Sequence, residues 1–372
     1  MKILVIGGGP AGMMLAGQAS KKHQVILIEQ NEKLGKKLFL TGKGKCNIST
    51  SATLEEFEAK IVRGKSFLKT ALTNFTYENC LDFFKDLGCP LKIERGKRIF
   101  PVSEKSSDII KALSLYCKNV DVKLNEKVIK VIKVNEQYKV ITSKGQYVVD
   151  KVVVATGGLS YAQTGATGDG YKLFKQPLIE TKQALVPINI KAIPLRKCLK
   201  LKNVKLICEE IELFGELDIY SSKIEGPLGI MMSSLINRKE NIALFIDFKP
   251  ALSLNQLQIR LDNNKYKDLS LILKDFLPLD IIPTFLTKCQ NKKDIPYYLK
   301  RFPLDYLKLD SYSRAIITSG GIDINYIDAV TFESKINPHV YYIGEVLDVD
   351  ALTGGYNLHI ALAVAKQCAE YI

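Results

Sequence analysis

KILVIGGGPAGMMLAGQA at positions 2–19, followed by HQVILIE at 23–29, decides the fold. Residues 2–6 are apolar and branched and stop at glycine, which predicts a buried strand. Residues 10–19 are small and apolar, which predicts a tightly packed helix. Residues 23–29 predict a second strand. Strand, helix and strand form one βαβ unit. Gly7, Gly9 and Gly12 set G-x-G-x-x-G at the strand-to-helix turn. Gly7 permits the turn, Gly9 lets a pyrophosphate approach the backbone, and Gly12 lets helix and strand pack closely. The helix start offers a positive dipole end to phosphate. Glu29 ends the second strand, about 20 residues on, where a carboxylate accepts ribose hydroxyls.

Further along, KVVVATGG at 151–158 reads as another buried strand ending in a small-residue turn. VYYIGEV at 340–346 reads as a last strand, with Gly344 and Glu345 at its carboxyl end. Gly354 and Gly355 open a helix over 356–372. Between these landmarks, 31–49 reads as a Gly- and Lys-rich loop, 54–87 as helical and 93–101 as extended. Residues 107–117 read as a helix, and 120–154 as several strands with turns near Asn135 and Gly145. The texture changes after Pro187. Residues 204–220 and 241–248 alternate like strands, and 252–307 are dominated by helical patterns. The expected fold class is α/β. A discontinuous Rossmann-type, two-dinucleotide FAD-binding domain covers 1–188 and 315–372. A β-rich insert covers 189–250, and a helical insert covers 251–314.

Composition narrows the function. The chain has 372 residues, 47% of them hydrophobic, enough for a large core. No run approaches the roughly 20 apolar residues that span a bilayer. The N-terminus lacks a signal-peptide pattern, so the expected location is the cytoplasm. Eight cysteines are scattered without a C-x-x-C pair, and three histidines show no ligand spacing, so no metal site is expected. The net charge of +14 reads either as a solvated Lys-rich surface or as a polyanion-binding one. Lys33, Lys36, Lys37, Lys43 and Lys45 crowd one loop, and Lys92, Arg95, Lys97 and Arg98 another.

The stretches IGGGPAG, GKKLFLTGKGKCNIS, RIFPVSEKSSD, ATGGLSYAQTGATGDGY, ITSGGI, TFESK and GEVLDVDALTGGYNL run from residue 6 to 358. They resemble the HI0933-like, or BaiN/YhiN-like, family of bacterial NAD(P)/FAD-dependent oxidoreductases. The insert departs from the family pattern at GELDIYSSKIEGPLG, positions 215–229.

The resemblance implies bound FAD. Gly42, Lys45, Cys46 and Asn47 then fall near the isoalloxazine. Lys45 stands where the family often has arginine, keeping the charge and losing the bidentate fork. Ala155, Thr156 and Gly157 pass near the adenine–ribose side. Thr164, Gly165, Gly168 and Asp169 form a loop near the ring. Gly344, Glu345, Gly355, Tyr356, Asn357 and Leu358 line the ribityl and pyrimidine end. There the helix dipole would stabilise negative charge on the reduced ring. Pro10, Ala11, Gln30, Lys37 and Val128 complete the candidate cofactor-binding set.

Cys46 is the first candidate acid, on the expectation that neighbouring cations lower its pKa. Tyr356 is the second, ahead of Tyr161 and His359. With no second G-x-G-x-x-G, NAD(P)H is expected only as a transient electron donor. Three activities follow from the family and the charge. One is hydride transfer to or from an unsaturated small molecule. Another is reduction of an RNA base, uridine to dihydrouridine in ribosomal RNA. The third is a ribosome-associated flavoprotein whose flavin is structural or sensing.

Overall fold

The computed structural model describes residues 1–372, the side chain of Lys43 excepted. The chain divides into two compact units, Met1–Lys182 with Ile317–Ile372, and Gln183–Ile316.

The first unit is built on a five-stranded parallel sheet. Its order is Val340–Tyr342, Lys151–Val154, Lys2–Ile6, Gln24–Ile28 and Asp121–Lys123. Apart from the edge strand Asp121–Lys123, these strands are Val, Ile, Leu and Tyr beyond at most one polar first residue, because a parallel sheet is covered on both faces. Lys2–Ile6 lies at the centre, flanked by Lys151–Val154 and Gln24–Ile28. The helices Pro10–Ala19 and Tyr356–Tyr371 pack on each other within the same core. A three-stranded antiparallel sheet, Val128–Val134, Gln137–Thr142 and Gln146–Val149, leads directly into Lys151–Val154. The left-handed Asn135 turns its first hairpin.

The helical pattern over 54–87 is interrupted in the structure. Helices Leu54–Glu58, Lys65–Asn74 and Tyr77–Asp86 are separated by a short strand, Ile61–Arg63. That strand pairs with Asp350–Ala351, and Arg63 makes two hydrogen bonds to the buried Asp348 carboxylate. A partner nearly 300 positions away leaves no local trace in the sequence. The loop over 31–49 likewise contains a short helix, Lys36–Leu40.

The second unit is a seven-stranded antiparallel sheet. Its long hairpin, Leu199–Cys208 with Ile211–Ile219, carries the helix Gly226–Ile236. The helices between 254 and 300 close over the same core through Leu257, Leu261, Ile272, Phe285 and Leu299. Among the described residues, no helix is long and apolar enough to cross a membrane.

The tightest point of the first unit is the glycine turn. A Cβ on Gly12 would lie 2.0 Å from the Gly7 carbonyl oxygen. Gly12→Ala is expected to destabilise the protein by about 1–3 kcal/mol, as overpacking does. Gly145 has open space around it and an ordinary backbone, so Gly145→Ala serves as the control. Urea unfolding of both variants checks this, and equal midpoints would refute it.

Candidate functional site

The strand Lys2–Ile6 ends at Gly7, whose φ of 109° only glycine adopts cheaply. A Cβ there would lie 2.5 Å from the carbonyl oxygen of Ala155, so Ala155 and Thr156 run directly beside the turn. Pro10 fills the first helical position, where its missing N–H costs nothing. Neither a side-chain cap nor a first-turn carboxylate faces this helix end. Its own first-turn amides therefore have no side-chain acceptor, and the space over Gly9 is open.

Glu29 lies beside that turn. One carboxylate oxygen accepts from the Gly8 amide at 2.8 Å. The other accepts from the Asn31 backbone and side-chain nitrogens. The Glu29 carbonyl takes the Glu126 amide, which brings Val128 to the same end of the sheet. The loop with Thr164 and Gly165 also sits here. The side chains of Gln30 and Asn31 donate to the carbonyls of Gly165 and Thr164 at 2.6 and 2.9 Å, and Lys127 pairs with Asp169. This corrects the expectation that the loop lies by the ring end. Two amide side chains hold it at the Glu29 end instead.

A second cluster forms around Glu345. Its carboxylate accepts from Lys37 at 2.6 Å, from Ser160 at 3.0 Å and from the Thr318 amide at 2.8 Å. Lys37 also donates to Ser160 at 2.7 Å. Glu345 was expected to line the ribityl and pyrimidine end, and both its oxygens already hold protein donors. Lys37, with one ammonium hydrogen left over, is the group positioned to meet an anion. Gly344 sits against Ala11, so this cluster adjoins the first helix end. Sequence reasoning missed Ser160 and Thr318, although both lie in the family-like stretches.

The third cluster is the start of the C-terminal helix. Gly354 and Gly355 adopt φ of 134° and 97°, and a Cβ on Gly355 would lie 2.3 Å from the Ser49 carbonyl oxygen. The loop carrying Gly42, Lys45, Cys46 and Asn47 is thus pressed onto this helix end. Here too there is no side-chain cap and no acidic first turn. Asn47 accepts from the Ile99 amide, and Lys45 pairs with Glu104. Asn357 uses its side-chain amide on the backbone of Ala351, so it braces the approach to the helix. Tyr356 stacks edge-on against Phe57 and bonds Thr50. His359, one turn in, is fully engaged. Ser49 Oγ lies 2.8 Å from its Nδ1, and the Phe75 carbonyl lies 2.8 Å from its Nε2.

The electrostatics correct the Cys46 expectation. Lys45 points to Glu104, and the Cys46 thiol is completely buried. Burial pushes its pKa up to about 12, against a smaller opposing contribution from the Thr41 hydroxyl. Such a thiol is a poor acid and a poor nucleophile at neutral pH. The Tyr356 phenol is also raised by burial. The two basic clusters are partly neutralised by Glu32, Glu56, Glu94 and Glu104. The Lys43 side chain lies outside the described residues.

The three clusters form a run of groups suited to a dinucleotide, and comparison with known proteins identifies the chain. The model described as HI0933-like protein Rossmann domain matches residues 1–371. The chain belongs to the HI0933-like family. A 3-dehydro-bile acid delta(4,6)-reductase of Clostridium scindens is 27% identical, covering 97% of this chain and 96% of the relative. A ribosomal RNA dihydrouridine synthase of Escherichia coli is 28% identical, covering 99% and 96%. The solved 3-ketosteroid-delta4-(5alpha)-dehydrogenase of Rhodococcus jostii shares the fold at a TM-score of 0.52. It is 14% identical, with 99% of this chain and 94% of that chain covered.

As an HI0933-like protein the chain is a flavin-dependent oxidoreductase. Its residues fit FAD on structural grounds. The open space over Gly9 would admit a phosphate, and two uncapped helix ends supply amides and positive dipole ends for anionic groups.

Two measurements test this description of the HI0933-like site. Burial lowers the His359 pKa from 6.5 to about 4. Between those values the unfolded chain binds a proton that the folded chain refuses. Stability is therefore held above pH 6.5 and lost as pH falls toward 4, at up to about 1.4 kcal/mol per pH unit. His359→Gln should flatten this part of the stability–pH curve; unchanged curvature would contradict the buried neutral ring. Native alkylation followed by mass spectrometry should modify the partly exposed Cys198 first and Cys46 only on unfolding. Early labelling of Cys46 would reverse the assignment of a buried, inert thiol.

Proposed function

We propose that the chain binds FAD from Glu29, past Gly9, to Gly355, and reduces a carbon–carbon double bond conjugated to a carbonyl. The Glu29 carboxylate would take the adenosine ribose. The helix end at Gly9 would take the pyrophosphate, with Lys37 adding a cation. Val128, Ala155, Thr156 and Gly157 would border the adenosine half. Gly42, Lys45, Asn47, Tyr356 and Leu358 would border the ring half.

When bound and reduced, FAD would supply a hydride for the carbon β to the carbonyl, and a proton drawn from solvent would complete the α carbon, so that the double bond gains two hydrogens as the cofactor is oxidised. NAD(P)H would return the electrons as a transient donor. The observation that carries this reading is the uncapped helix end at Gly355, held against the loop over 42–49. A fixed positive end there favours negative charge on the ring pyrimidine of the reduced cofactor. Two relatives support the substrate chemistry. One is named for reducing Δ4,6 bonds in a 3-dehydro bile acid, the other for making dihydrouridine. Both names describe hydrogenation of an alkene conjugated to a carbonyl.

A second reading, that the alkene is a uridine within RNA, is favoured by the net charge of +14 and by the second relative. The test begins with the purified yellow protein, reduced without oxygen. Adding a conjugated 3-oxo-Δ4,6 steroid, or uridine-containing RNA, should restore the oxidised flavin spectrum. A matched compound with an isolated double bond should not. Failure of every conjugated acceptor to reoxidise the flavin faster than buffer would end the proposal.

A further inference from the structure

On the first unit, the segment 33–45 lies against the hairpin Leu91–Glu94 with Arg98–Pro101 and the turn that follows it. Ser106 donates to the Phe39 carbonyl at 3.0 Å, Lys45 and Lys92 share the Glu104 carboxylate, and Gly42 approaches the Phe100 ring. These contacts make one continuous strip of surface. Large apolar side chains stand exposed along it. Phe39 is 49% exposed and Val102 54% exposed, with Leu40 and Ile93 beside them. The Lys33 ammonium lies 5.7 Å from the centre of the Phe39 ring, and the Arg98 guanidinium 5.7 Å from that of Phe100.

The cations here fall into two groups. Lys36, Lys45, Lys92 and Lys97 have carboxylate partners. Among the described residues, Lys33, Arg95, Arg98 and Lys105 make no ion pair and are exposed. The strip therefore alternates unpaired positive charge with flat or apolar faces. A folded monomer gains nothing by exposing a Phe between unpartnered cations. A single-stranded nucleic acid has the matching pattern, with one phosphate and one π-face per nucleotide. An acidic peptide would meet the charges and leave the apolar faces in water.

We infer that this strip docks single-stranded RNA, with phosphates held by Lys33, Arg95, Arg98 and Lys105 and a base stacked on Phe39. The inference rests on the RNA reading above and gives it a place on the molecule. It also orients the substrate. The strip is continuous with the loop carrying Lys45, Cys46 and Asn47, which is pressed onto the helix end at Gly355. Strand held along the strip would present a splayed base toward that loop.

The test uses the full-length, FAD-loaded protein with a fluorescent oligouridylate, its affinity measured over a range of salt. Phe39→Ala should weaken binding by about 5- to 150-fold, the usual effect of losing one base–aromatic stack. A triple variant, Lys33→Gln, Arg98→Gln and Lys105→Gln, should reduce the salt slope by about 2 and weaken binding at low salt. FAD content and turnover of a small conjugated enone should not change, because all four side chains are exposed and none of them bonds a residue of the site clusters. Three outcomes overturn the inference. If RNA is bound and its uridine reduced equally by variants and wild type, docking on this strip is refuted and the RNA reading stands. If the wild type neither binds nor reduces RNA, both fall. If anionic vesicles bind in preference to RNA, with the same variants losing that binding, the strip is a membrane contact instead.

Discussion

Three stretches of backbone meet at the Gly7 turn with no room for a side chain between them. Gly7 lies under Ala155, Gly12 lies over Gly7, and the Glu29 carboxylate holds the Gly8 amide. The rest of the first unit depends on this approach. It brings three parallel strand ends level with the start of the helix Pro10–Ala19. The helix dipole, the acidic group and the small-residue turn at 155–158 then converge without any single residue being strained to reach the others. Ala at Gly12 would force helix and strand apart, and the Gly9 helix end away from Ala155 with them.

The end of the site at Glu345 and Gly355 is assembled differently. It has one close backbone approach, Gly355 against the Ser49 carbonyl, and is otherwise fixed by polar contacts between distant segments. Glu345 gathers Lys37, Ser160 and the Thr318 amide, Asp348 gathers Arg63, and His359 ties Ser49 to Phe75. The buried members of these contacts are hydrogen-bonded, as burial requires. Apart from Thr318 and Glu345, 27 positions apart, the partners are roughly 120 to 310 positions apart in the chain, so this end of the site is complete only once the last strand has joined the sheet beside Lys151–Val154. The two ends of the site thus differ in kind. The glycine turn is mostly a consequence of the opening residues, closed by Ala155, whereas the end at Gly355 is a consequence of the whole unit.

The same difference governs how far the sequence can be read. Lys2–Ile6, Pro10–Ala19 and Tyr356–Tyr371 are legible because their patterns are local: apolar period, glycine spacing and helix starts. Ile61–Arg63 is illegible because its partner lies at Asp350–Ala351. The loop at 164–169 was misplaced because Gln30 and Asn31 look like ordinary turn residues, although they hold it. Cys46 misled for a related reason. The lysines around it suggest a low pKa, but its backbone, in the left-handed region at φ 59°, belongs to a turn that buries the thiol while Lys45 pairs with Glu104. Composition near a residue sets its charge environment only when the side chains face it.

Proton supply follows from these placements. The Cys46 thiol is pushed up to about 12, and the His359 ring is lowered to about 4 with both nitrogens engaged. The Tyr356 phenol is raised by burial. None of the three sits near neutral pH, where a general acid works best. The positive helix end at Gly355 is fixed by the Ser49 carbonyl and by Asn357 before any substrate arrives. On the proposed reading it would face the pyrimidine of the reduced cofactor and hold its negative charge at no cost of reorganisation. The chain's part in such chemistry is therefore electrostatic placement, achieved by packing a glycine-initiated helix against a loop that leaves no space for anything larger.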